Sequence, residues 1–86
     1  MAKRNNDYHE IVVHSVMGKD SQGRPKRQIR PIKGQVFDSG LNVECSMKLI
    51  ENYPLGTRFR LRAKIAEVRG TQFLYSYFGW PVPVVR

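Results

Sequence analysis

Residues 57–65 read Thr-Arg-Phe-Arg-Leu-Arg-Ala-Lys-Ile, and from Arg58 onward cations and apolar residues strictly alternate. An extended strand separates the two sets, because its successive side chains point to opposite faces. Phe59, Leu61, Ala63 and Ile65 then share the face that enters a core. Arg58, Arg60, Arg62 and Lys64 share the other face, about 6.6 Å apart at roughly 3.3 Å per residue. Like charges at that spacing repel one another, and no acid follows them until Glu67. A polyanion laid along the row relieves the repulsion, and phosphate is the obvious candidate.

Such a strand needs a partner, and the next residues supply one. Arg69-Gly70 reads as a two-residue turn and 71–78 as the returning strand. This turn pairs Val68 with Thr71, Ile65 with Leu74, Ala63 with Ser76 and Leu61 with Phe78, which completes a core face. The other face then sets Lys64 against Tyr75, Arg62 against Tyr77, and Ala66 against Phe73. Cations and rings alternate across it, so Arg58, Arg60, Arg62, Lys64, Phe73, Tyr75 and Tyr77 form the expected nucleic-acid surface. A three-residue loop would shift the register by one and send the tyrosines into the core.

Upstream, residues 1–7 are polar and read as a flexible arm carrying Lys3 and Arg4. Residues 8–17 are rich in β-branched side chains and read as a strand. Residues 18–27 hold two glycines and a proline and read as a loop, whose Lys19, Arg24, Lys26 and Arg27 extend the basic surface. Residues 28–37 read as a weaker strand, interrupted by Pro31 and Gly34. Asp38-Ser39-Gly40 is a turn.

Residues 41–53 are the helical candidate. Val43, Met47 and Ile50 follow helical spacing, Asn42 or Ser46 is the expected N-cap, and Pro54 and Gly56 stop the helix. Residues 41–45 fit a strand equally well, so the helix is expected in the second half. Pro81 and Pro83 give 79–86 an extended path, with Trp80 capping the core or docking on another subunit. The expected fold is therefore α+β. About four strands in the order β-β-α-β-β form a small antiparallel sheet or partly open barrel with one short helix, a single domain over 8–86.

Fifteen Lys and Arg against seven Asp and Glu give +8, a balance that favours polyanions. With 41% hydrophobic residues the chain can fold, but at 86 residues its core is thin, so a homodimer is the alternative expectation. Cys45 is the only cysteine, which removes any internal disulfide and any zinc-finger spacing. A buried structural role is its default. His9 and His14, five apart on a strand, face opposite ways and cannot share a metal. No run approaches the roughly 18–20 apolar residues of a membrane span, and no apolar stretch follows the first charges as in a secretory signal.

The expectation is a small, basic, cytoplasmic, non-enzymatic protein that binds nucleic acid, without metal, cofactor, membrane or small-molecule substrate. Interleaved rings and cations suit single-stranded nucleic acid or RNA better than duplex DNA. The alternative is a protein-protein interaction module or obligate homodimer meeting an acidic partner. The third is a small basic ribonuclease using His9 or His14 as general base.

Overall fold

In the computed structural model, which describes residues 8–85, the alternating segment is the central strand β4 (Arg58–Val68). The arm at 1–7 and Arg86 lie outside the described residues. Strand β1 (His9–Lys19) pairs antiparallel with β4 along one edge, and β2 (Pro25–Pro31) pairs antiparallel with β1. On the other edge β4 pairs first with β6 (Val84–Val85), then with β5 (Thr71–Tyr75), both antiparallel. Strand β3 (Val43–Glu44) joins β5 in parallel. The sheet order is β2-β1-β4-β5-β3, with β6 beside β4.

The architecture is thus a small, mostly β domain with an open sheet of six strands, not about four. The additional strands are β3, in the stretch 41–45 that fits either a strand or a helix, and β6, in the extended tail. β3 takes residues that the periodicity offered to a helix, because Val43 becomes buried beside Leu74. The helix α1 (Lys48–Glu51) is a single turn that inserts Leu49 into the core. Its N-cap is Met47 with no side-chain cap, although the Ser46 hydroxyl accepts a hydrogen bond from the Lys48 N–H at 3.3 Å. Met47, expected on the apolar stripe, is exposed.

Half of the segment at 18–27 is ladder. β1 and β2 extend to Lys19 and from Pro25, leaving a tight turn between them. Asp20 organises that turn, its carboxylate accepting from the backbone N–H groups of Gln22 and Arg24, both at 2.9 Å. β2 ends at Pro31 instead of continuing toward Phe37, and past the proline one further backbone bond reaches β1, from Ile32 N–H to Val12 O at 3.1 Å.

The hairpin register is as expected. Arg69 (φ 53°) and Gly70 (φ 81°) both lie in the left-handed region, as a two-residue hairpin turn requires. Val68 meets Thr71, Ala66 meets Phe73, Ile65 meets Leu74 and Lys64 meets Tyr75. The expected pairs beyond that point do not form. Ser76 turns to β3, donating its N–H to Glu44 O at 2.9 Å, and the chain leaves β4. Phe78, expected opposite Leu61 in the core, is 70% exposed, and Ile65 is 47% exposed. The tail returns instead as β6, and Arg60 N–H donates to Pro83 O at 3.0 Å.

The core lies under the odd-numbered face. Phe59, Leu61 and Ala63 meet Ile11 and Val13 of β1, Ile29 of β2 and Leu74 of β5. Buried Ser15 ties this layer to the turn before β4, since its hydroxyl accepts from Gly56 N–H at 2.9 Å and donates to Pro54 O at 3.3 Å. With the odd positions committed to the core, the even positions of β1, β2 and β4 form the opposite face.

Candidate nucleic-acid interface

Arg58, Arg60 and Arg62 are exposed on this second face and Lys64 is half-buried. In an antiparallel pair, directly opposed residues share a face. His14 therefore stands beside Arg58, Val12 beside Arg60 and Glu10 beside Arg62, while Tyr75 stands beside Lys64. His14 is also opposed by Arg30 of β2. Arg58, His14 and Arg30 thus make a line of basic side chains across the sheet, intersecting the row along β4. Arg30 was not among the residues the sequence pointed to, and His14 was singled out only as a candidate general base, because nothing local says that β1 lies between β2 and β4.

Rings cover the far end of the row. The Arg62 guanidinium lies 5.5 Å from the centroid of Trp80, and the Lys64 ammonium 5.1 Å from that of Tyr8. Tyr8 meets Trp80 edge-on at 5.0 Å, Trp80 meets Tyr77 edge-on at 5.6 Å, and Tyr77 meets Phe78 at 5.2 Å. The expected rings Phe73 and Tyr75 are half-buried on the hairpin, and Tyr77 is exposed. Tyr77 reaches this cluster through Trp80, not as a ladder partner of Arg62. Tyr8 and Trp80 are the rings that meet the cations, and Trp80 sits on the charged face and not as a core cap.

The cations of the β1–β2 hairpin are placed differently. His14 is opposite Arg58 and β1 continues to Lys19, which carries the hairpin about 17 Å past the end of the row. Lys19, Arg24, Lys26 and Arg27 are all exposed there. Arg24 is partly engaged, its Nε donating to Asp20 Oδ2 at 3.2 Å. The Arg24 backbone N–H is the main cause holding the Asp20 carboxyl below its usual range. Arg27 reaches back to donate to Ile50 O at 3.4 Å. The β4–β5 hairpin projects from the opposite end. By the ladder Lys26 continues the even-numbered face into an elongated path with the row, whereas Lys19 and Arg27 fall on the odd-numbered face, where Arg27 meets Ile50 O.

Charge on the path is poorly compensated. The pair of Arg24 and Asp20 is the only ion pair among the described residues. Glu10, the acid set opposite Arg62, makes none. Arg30 donates through Nη2 to Gln28 Oε1 at 2.6 Å, and its Nε is the only buried side-chain donor without a partner among the described residues. A cavity of about 330 Å³ opens beside it, bordered by His14, Lys33 and Ser39.

Other chemistry is sparse. Among the described residues no three potential metal ligands cluster. His9 is on the core side, edge-on to Phe37 at 5.4 Å, and so is separated from His14. Cys45 is half-buried, and burial, helped by the neighbouring Glu44 charge, pushes its thiol up to about 11. A thiol held protonated in this way is a poor nucleophile at neutral pH. No helix among the described residues is long and apolar enough to cross a membrane. The chain matches no known protein family, no curated protein and no solved structure.

Proposed function

We propose that this is a non-enzymatic protein that binds single-stranded nucleic acid along the even-numbered face, from the β1–β2 hairpin past Arg58 to the rings around Lys64. The observation that carries the reading is the row Arg58, Arg60, Arg62 and Lys64, without ion pairs among the described residues and bordered by Tyr8, Trp80 and Tyr75. Cations hold a phosphate backbone, and rings stack on unpaired bases for about 1–3 kcal/mol each. A duplex hides its base faces, so the rings favour a single strand, DNA or RNA.

The shape adds support. The end strands β2 and β3 approach each other, and we read the open sheet as a partly open five-stranded barrel with β6 as an added strap. Oligonucleotide-binding folds share that architecture, an analogy of form that carries less weight than the site itself.

The test is titration of a labelled oligothymidylate at several salt concentrations. The double variant Arg60→Glu/Arg62→Glu should bind roughly 100-fold more weakly at low salt and show a log–log salt slope shallower by about 1.4, at about 0.7 per phosphate contact. Undiminished binding by a folded double variant rejects this surface.

A second reading is favoured by Ile65 (47% exposed) and Val68 (58% exposed) on the projecting β4–β5 hairpin. That end would seat a second copy or another protein. A dimer stable at high salt that binds no oligonucleotide selects this reading.

A further inference from the structure

Among the described residues Glu10 is the one carboxylate within the basic row. The ladder sets it directly opposite Arg62 on the same face, yet Arg62 turns to Trp80 and no ion pair forms. Both border a cavity of about 170 Å³, whose lining also includes Arg60, Trp80, Pro81 and Pro83. Its wall is the strap after β5, closed onto β4 by the hydrogen bond from Arg60 N–H to Pro83 O at 3.0 Å. Two prolines make that wall stiff. Apolar walls with a few converging polar groups are the ordinary make-up of a small-ligand site, and an apolar cavity of about 150 Å³ already holds one benzene ring.

We propose that this cavity is a base-reading subsite that takes the edge of one guanine from the bound strand. The inference rests on the nucleic-acid reading and adds a base preference to it. A flat ring entering beside Trp80 stacks on the indole, and Arg60 meets the adjoining phosphate. The base edge then faces Glu10. A carboxylate only accepts hydrogen bonds, so it selects bases that present donors. Guanine presents two side by side, the ring N1–H and the 2-amino group, which match the two carboxylate oxygens. Uracil and thymine present one N–H between two carbonyl oxygens, which the carboxylate repels. Adenine and cytosine offer an amino group next to an acceptor and rank between these extremes. A carboxylate amid cations lowers affinity for every phosphate backbone, and in this reading it supplies base discrimination.

The experiment compares three oligomers: oligothymidylate, the same with one central guanine, and the same with inosine at that position, which lacks only the 2-amino group. Binding is followed by Trp80 emission, since the chain has a single tryptophan. The native protein should prefer the guanine oligomer roughly tenfold, in the range of one good bidentate base contact, and inosine should lose most of that gain. In Glu10→Gln the guanine preference should vanish while affinity for oligothymidylate rises, because a negative charge has left the row. A carboxylate acting only through its charge would shift all three oligomers equally. Equal binding of the three by the native protein overturns the inference and leaves the nucleic-acid reading standing, as does a guanine preference that survives in Glu10→Gln. Failure of every oligomer to bind overturns both.

Discussion

Gln35 decides how β1 is completed where β2 stops. The ladder between β1 and β2 begins at Val13 and Pro31; beyond it Ile32 N–H still donates to Val12 O at 3.1 Å, which leaves the Val12 N–H to be satisfied otherwise. The Gln35 side chain accepts from Val12 N–H at 2.7 Å and donates to Val12 O at 2.8 Å and Ile32 O at 3.1 Å. Its amide stands in for a missing residue of the strand. Gln35→Leu removes both functions and should cost about 1–3 kcal/mol, the range for an unsatisfied buried group. Urea unfolding should show a lower midpoint with an unchanged slope, and an unchanged midpoint would mean that water replaces the amide. Nothing in the sequence marks Gln35, since its partner lies 23 positions away. The same holds for Glu10, which reads locally as an ordinary surface residue. Trp80 stands out in the sequence as a core cap or a docking residue, and only packing places it beside Arg62.

The β4–β5 hairpin is the element most fully legible in the sequence. Its register follows from the turn and from the period-two pattern, both local. Its one blemish is Arg69, which holds φ 53° although left-handed backbone favours Asn or Gly. Arg69→Asn should therefore stabilise the fold by about 0.5–1 kcal/mol, read as a raised denaturation midpoint. A lowered midpoint would show that the Arg69 side chain makes a contact outweighing the backbone cost. Where β5 ends was not legible, because Ser76 is drawn off by Glu44 O, a partner from a distant segment. The helix, expected in the second half of 41–53, forms as the single turn Lys48–Glu51, and of the two readings open for 41–45 the strand is the one taken, with Val43–Glu44 paired to β5 and Val43 buried.

At the scale of the whole molecule the dominant quantity is the net charge of +8, spread over a fold with a single ion pair among its described residues. Self-repulsion of that kind weakens a compact state and is screened by salt. The urea midpoint should rise when sodium chloride is raised from about 0.02 to 0.5 M, as the Debye length shrinks from about 20 to about 4 Å. A midpoint that falls or stays level would mean the row is already compensated, and the case for a polyanionic partner would weaken with it. The sequence by itself determined the central strand, its hairpin, the two-faced pattern and the excess of positive charge. Each of these is set by neighbours a few residues apart, where backbone geometry leaves little choice. Only the tertiary structure decided that β1 lies against β4, that the strap returns as β6, and that Tyr8, Glu10, Arg30 and Trp80 join the row. Those outcomes depend on which distant segments bury the core together, and so the cation row was readable from the chain while its rings and its one acid were not.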